Sequence, residues 1–231
     1  MQNHLNKSQT INLGSFYTPD YIVEIVYKML LNYLVKNKLN LNGFVLLDSS
    51  CGYGNFLQNS KKHNNLDFKK KIGVDIDKKA LQIAKENFIN YKNPPLFLHK
   101  NSLINVIRKN FKIDNSEKLI IIGNPPYNDK TSIVQNHIKN KNYEVDLNLK
   151  CRDLGMSFLL SFNELKADYI CILHPLSYLI KNANFKILKK FFSNYKLIDS
   201  VIISSQIFCP YSLGFFPIII ALYEKNEKGI N

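Results

Sequence analysis

No uninterrupted apolar stretch comes near the ~18 residues that a helix needs to cross a bilayer. The longest candidate, Phe215 to Tyr223, is about half of that, so neither a membrane span nor a membrane partner is expected. The opening residues, Met1 to Gly14, are polar and lack the apolar core of a secretion signal. A cytoplasmic location is therefore expected. Cysteine is scarce and scattered: Cys51, Cys151, Cys171 and Cys209 form no closely spaced pair and have no histidine at ligand spacing. That pattern argues against zinc or any other metal site and for reduced thiols. Acidic residues are also few, 18 Asp and Glu against 31 Lys and Arg, for a net charge of +13. Such an excess attracts polyanions, nucleic acid first among them. A chain this rich in Lys, Asn and Ile also has the composition that an AT-rich genome gives to any protein. No internal repeat is present. Hydrophobic residues at 45% and charged residues at 21% of the 231 positions exclude a disordered, collagen-like or fibrous chain.

What is present is an alternation of short apolar runs and amphipathic stretches. Residues 1–13 read as a loose polar arm and residues 14–231 as a single domain. Thr18 and Pro19 read as N-cap and first helical position of a helix whose apolar residues, Ile22, Ile25, Val26, Met29, Leu30, Tyr33 and Leu34, share one face. Phe44 to Asp48 reads as a buried strand that runs into a glycine turn, with a helix starting near Asn55. Lys71 to Asp77 is a second strand ending in acid, followed by a helix over Lys78 to Tyr91. Further strands are expected at Leu96–Leu98, Leu119–Ile122 and Tyr169–Leu173, with helices over Gly155 to Lys166 and Phe185 to Ser193. Asn128 to Lys150 reads as a flexible loop. Leu197–Ile203 and Gly214–Tyr223 read as paired strands. The fold class expected is α/β, a mostly parallel sheet with helices on both faces and an antiparallel hairpin at its edge.

Ligands of open α/β sheets bind at the carboxyl ends of the strands, and the unusual residues of this chain cluster there. Asp48 is followed by Gly52 and Gly54, which allow a sharp turn and a close backbone approach. The third glycine of a dinucleotide site is absent, because position 57 is Leu57. Asp75 stands about twenty residues further on, at the next strand end, where a carboxylate can accept from both ribose hydroxyls. Asp77 reads better as an acid at a helix N-terminus. The pair of signals points to a nucleoside cofactor without a pyrophosphate. Asn124-Pro125-Pro126-Tyr127 is the sharpest feature. Two prolines fix the backbone and remove two donors, leaving carbonyls and the Asn124 oxygen as acceptors beside an aromatic ring. That suits a flat ligand bearing an amino group. The structural alternative is a Pro-Pro turn after a strand.

These motifs, in this order, resemble the S-adenosylmethionine-dependent N6-adenine DNA methyltransferases of the gamma class, over about residues 14 to 225. The matching segments are Phe16-Tyr17-Thr18-Pro19, Asp48 to Leu57, Gly73 to Asp77, Asn101-Ser102-Leu103, Asn124 to Tyr127 and His174 to Ser177, with Phe208 as the aromatic before the last core strand. The resemblance implies a Rossmann-like methyltransferase fold and S-adenosyl-L-methionine as cofactor. Its cofactor-binding residues would be Tyr17, Thr18, Asp48, Cys51, Gly52, Gly54, Asp75, Ile76, Asn101 and Ser102. Within that set Thr18 would meet the methionine carboxylate, Asp75 the ribose and Ile76 the adenine. Asn124, Pro125, Pro126 and Tyr127 would be catalytic, with Tyr127 and Phe208 stacking on a flipped base. The implied activity is methyl transfer to adenine N6 in DNA within a restriction-modification system.

Two departures stand out. Ser49-Ser50 replaces the more usual Pro-Ala, and Asn101 stands where the family often has Asp. The chain also ends soon after the core without a separate target-recognition domain, which a specificity subunit, a homodimer or a truncated chain would explain, with DNA the expected partner. An RNA adenine methyltransferase and a release-factor glutamine methyltransferase, which also uses this motif, are the alternatives, together with a non-catalytic subunit. His4, His63, His99 and His137 read as surface residues, and His174 as a residue at the sheet's carboxyl edge. Phe215 and Phe216 read as core, and the lysine runs as solvated faces. Lys130, Lys139 and Lys141 are the better phosphate contacts.

Overall fold

The structure, a computed structural model, describes residues 18–58, 67–127, 144–208, 214–226 and 228–229. The expected loose arm, Tyr17, Lys130, Lys139, Lys141 and Cys209 lie outside them. Seven strands form one sheet in the order β3-β2-β1-β4-β5-β7-β6. They are β1 Phe44–Asp48, β2 Lys70–Asp75, β3 Leu96–His99, β4 Lys118–Gly123, β5 Tyr169–Pro175, β6 Tyr195–Ser204 and β7 Pro217–Lys225. The first five are parallel. β7 pairs antiparallel with both β5 and β6. The edge pair is thus as expected, with the later strand inserted inward and β6 left outermost.

Alternation along the buried strands serves two cores. Leu46, Ile120, Ile122, Cys171 and Ile220 face α1 (Asp20–Lys36), whose Ile22, Val26 and Leu30 are fully packed. Val45, Leu47, Ile121, Ile172 and Ala221 face the other side, against Leu159 and Phe162 of α4 (Leu154–Glu164). Both faces being covered explains why β1 is buried throughout. The remaining helices are α2 (Asn55–Gln58), α3 (Lys78–Asn87), α5 (Ser177–Ile180), α6 (Asn182–Ile187) and α7 (Lys189–Phe192).

Three expectations shift. Pro19, not Thr18, holds the N-cap position of α1, with no side-chain cap bond. Its carbonyl takes the first donors, from Ile22 and Val23, while the Thr18 hydroxyl is used elsewhere. The helix expected over Phe185 to Ser193 is instead α6 and α7, broken at Leu188 with ψ 9°. Phe215 and Phe216 are not core. They precede β7 and are about half exposed, at 47% and 45%.

Candidate active site at the carboxyl edge

Strand order reverses between β1 and β4, where neighbouring connections leave in opposite directions and a crevice opens at the carboxyl ends. Every motif residue described lies along that edge. β1 delivers Asp48, β2 delivers Asp75, and β4 delivers Gly123 followed by Asn124.

Asp48 forms the floor. It is 1% exposed, and Oδ1 accepts from the Ser50 N–H at 3.2 Å. Oδ2 is buried with no hydrogen-bond partner among the described residues. Burial pushes its carboxyl up to about 8, against the pull of the Ser50 N–H and with a further push from the Asp75 charge. Gly123 lies on top of it. A Cβ there would stand 2.8 Å from Asp48 Oδ1, and φ is +145°, so both space and backbone demand glycine.

The glycine turn is held from two sides. The Cys51 N–H donates to the Val74 carbonyl at 2.9 Å, and the Gly52 N–H donates to Asp75 Oδ2 at 2.8 Å. Gly52 and Gly54 have φ of +51° and +84°. The Cys51 side chain packs into the core on the α1 side, so it offers the crevice its backbone only; burial pushes its thiol up. Asp75 Oδ1 accepts from the Asp77 N–H at 2.8 Å, and the Ile76 N–H also bonds the carboxylate. Burial raises its carboxyl, partly offset by those N–H groups. Asp77 itself caps α3, accepting from Lys79 and Ala80. Ile76 projects 53% exposed beside it.

Asn101 and Ser102 sit in the loop after β3. Asn101 Nδ2 donates to the Glu144 carbonyl at 2.7 Å and its Oδ1 accepts from the Leu103 N–H at 2.9 Å. Ser102 is buried and donates to the Ser49 carbonyl at 2.6 Å. Both thus tie this loop to its surroundings, and Ser102 ties it to the turn after β1.

Thr18 and Asn124 meet. Asn124 Nδ2 donates to Thr18 Oγ1 at 3.2 Å, and Asn124 Oδ1 is buried without a partner among the described residues. Tyr127 packs against the start of α4, where its Cβ lies 2.9 Å from the place a Gly155 Cβ would take. Its ring meets Phe216 edge to face, with centroids 6.3 Å apart. Phe208 packs against the same core cluster as Tyr127. Phe216 is the residue that sequence reasoning missed. Its place depends on β7 entering beside β5, and the aromatic doublet before the strand was the only signal. Gly123 was legible in principle, as a lone glycine ending an isoleucine run.

His174 stays out of the crevice. It is 1% exposed, its Nε2 is 2.7 Å from the Tyr223 hydroxyl, and its ring stacks on Tyr178 and Tyr223. Burial holds it down to about 4. Of the lysine runs read as solvated, Lys69 and Lys70 contact Glu117 and Lys190 contacts Glu164. Among the described residues there is no group of acids, histidines and cysteines that could hold a metal ion, and no helix long and apolar enough to cross a membrane.

The sequence model of the family described as N-6 DNA Methylase matches residues 1–229. Among curated proteins, the release factor glutamine methyltransferase of Fusobacterium nucleatum is 30% identical over 107 residues, 46% of this chain and 29% of that protein. The aligned part is thus under a third of that relative. Among solved structures, the type I restriction-modification methyltransferase subunit of Streptococcus thermophilus superposes with a TM-score of 0.62 at 18% identity, covering 91% of this chain and 45% of that one. A candidate RNA methyltransferase of Pyrococcus horikoshii gives 0.58 at 17% identity, covering 92% and 87%. The fold is that of the class I methyltransferases. S-adenosylmethionine is the cofactor, and the crevice suits it chemically. The unpartnered Asp48 oxygen, once it gives up its proton, offers an acceptor to an ammonium, and the glycine turn leaves backbone accessible. Asp75 retains acceptor capacity for a hydroxyl, and Ile76 offers an apolar face for a purine.

Proposed function

We propose that this chain, which belongs to the N-6 DNA methylase family, transfers a methyl group from S-adenosylmethionine to N6 of adenine in DNA. Residues 14–231 act as one catalytic domain in the cytoplasm. The cofactor supplies a methyl group made electrophilic by its sulfonium. Tyr17, Thr18, Asp48, Cys51, Gly52, Gly54, Asp75, Ile76, Asn101 and Ser102 form its site. The observation that carries the target reading is the buried, unpartnered Asn124 Oδ1 at the carboxyl edge. An acceptor there, beside the Pro125 carbonyl, takes the two hydrogens of an exocyclic amine. Those bonds favour a more tetrahedral nitrogen and stabilise the positive charge that develops on it. No strong general base is required, and positioning supplies much of the rate. The target must leave the duplex to arrive, and stacking on Tyr127 and Phe208 offsets that cost by about 1–3 kcal/mol per contact.

The net charge of +13 supports a polyanionic substrate. The structural likeness to a type I restriction-modification subunit supports a role in such a system beside a specificity partner. The test is incubation with S-adenosylmethionine and unmethylated DNA, then digestion and mass spectrometry for N6-methyladenosine, with Asn124→Ala in parallel. Methyl transfer by wild type alone is expected, with cofactor binding retained in the variant. Equal activity in both overturns the assignment. Transfer to RNA or to a glutamine amide instead of DNA moves the substrate and keeps the chemistry.

A further inference from the structure

An exposed phenylalanine on its own needs no explanation. Phe216 differs because its surroundings fix its backbone and leave its ring uncovered. Ile218 pairs with Pro175, the last residue of β5, and Pro217 pairs with Ser204, the last residue of β6. Phe216 therefore stands just off the carboxyl end of β5, on the edge that carries Asp48 and Asn124. One residue clamps it from both sides. The Phe216 N–H donates to Ser205 Oγ at 2.9 Å, and the Phe216 carbonyl accepts from the Ser205 N–H at 3.0 Å. Ser205 is buried, and its own carbonyl accepts from the Phe208 N–H at 3.0 Å. A single serine thus ties down the backbone of both Phe208 and Phe216. The Phe216 side chain stays half exposed, so core packing does not account for it. Among the described residues its ring meets one other, that of Tyr127, with the two planes at 86°. Phe215 is exposed to the same degree and meets no ring among the described residues.

Two rings at right angles make a corner. A planar ligand can stack on one ring and set its edge against the other, the two arrangements that aromatic systems favour. The buried, unpartnered Asn124 Oδ1 belongs to the same edge, three residues before Tyr127. A nucleobase such as adenine offers what such a place selects, a flat π-face and an exocyclic amine. A glutamine side chain offers an amide and no ring. We propose that Phe216 is a base-contacting residue. With Tyr127 it forms a corner for the target nucleobase, which stacks on Tyr127 and meets Phe216 with its edge. This rests on the reading of the crevice as a nucleic-acid methylation site, and it adds a contact to those of Tyr127 and Phe208. Removing the Phe216 ring deletes the contact and leaves the protein's charge, and so its attraction for phosphates, unchanged.

Base contact and backbone attraction can therefore be measured apart. The probes are two fluorescein-labelled decamers of equal charge, single-stranded oligo(dA) and a strand of abasic sugar-phosphate. They are titrated by anisotropy with saturating S-adenosylhomocysteine, which keeps adenine bases out of the cofactor site. Phe216→Ala should weaken oligo(dA) binding about fivefold to tenfold, the scale of one aromatic contact. Its affinity for the abasic strand, and both affinities of Phe215→Ala, should stay within about twofold of wild type. The chain has no tryptophan, so Phe216→Trp supplies a second readout. Its fluorescence should be quenched by unlabelled oligo(dA) and not by the abasic strand. Ile89→Trp, exposed beyond the far end of α3, should respond to neither. Unchanged oligo(dA) affinity in Phe216→Ala, equal weakening for both strands, or an equal loss in Phe215→Ala overturns the proposal. Quenching of Phe216→Trp by both strands alike, or by neither, also overturns it. If wild type binds oligo(dA) no better than the abasic strand, the nucleobase reading of the whole site falls, and the role of Phe216 with it.

Discussion

Asp48 stands between two demands. Its place under Gly123 removes it from water, and the adjacent Asp75 carboxylate repels its charge. Its carboxyl is held up to about 8, whereas an unfolded aspartate titrates at about 4. Between those values the folded protein keeps a proton that the unfolded chain has released. Rising pH therefore draws the equilibrium toward the unfolded chain, and the Asp48 contribution falls from about pH 4 to about pH 8 and then levels off. His174 acts the other way. Held at about 4, it refuses a proton that the unfolded chain accepts below its ordinary value of about 6.5, so its contribution is lost as pH falls. The difference between Asp48→Asn and wild type isolates the first effect. Urea denaturation at pH 5 and pH 8 should show a loss of stability in wild type, on the order of a few kcal/mol, that shrinks in the variant. An equal slope in both would place the titrating group elsewhere. At this scale the carboxyl-edge acids and Asn124 were legible, because their chemistry is unusual where a strand ends. Phe216 was not, because a phenylalanine before a strand acquires meaning only from partners distant in sequence.

Among the elements, α1 does most to hold the site's N-terminal side. Its apolar spacing was plain in the sequence, and its buried face follows that spacing. Its start was misread by one residue, because the hydroxyl that looked like a cap binds an amide 106 positions away. Within the helix, Tyr27 is fully buried and donates to the Phe56 carbonyl in α2 at 2.5 Å. That bond gives a partner to the carbonyl of the second residue of α2 and ties the helix to α1. Tyr27→Phe should cost about 1–3 kcal/mol, the range for a buried acceptor left unmade. The variant should also speed amide exchange in the glycine turn more than in β4. Uniform acceleration across both would mean that α1 and the turn are not specifically joined. The bond itself could not be foreseen, since a buried tyrosine in an apolar stripe reads as core.

Across the whole molecule, a net charge of +13 on a chain proposed to bind DNA carries a clear signature. Affinity for duplex DNA should fall by orders of magnitude between about 50 and 200 mM salt if six or more phosphates are neutralised. A fluorescence anisotropy titration across that range measures the slope. A flat response would mean that the excess lysine reflects composition and not function. The sheet's architecture was readable at this scale from the alternation of strands and helices, down to its antiparallel edge pair. The inward place of β7 was not, because adjacency in sequence says that β6 and β7 pair and leaves open which of them joins β5.

That inward place bears on how the chain is made. β7 follows β6 in sequence and is the last described strand, yet it is the only described link between β5 and β6. Until residues 217–225 leave the ribosome, β6 has no neighbour to join and β5 lacks one side. The five parallel strands, which carry Asp48, Asp75 and Asn124, can pair before then. The wall that brings Phe216 to Tyr127 closes only after β7 has emerged.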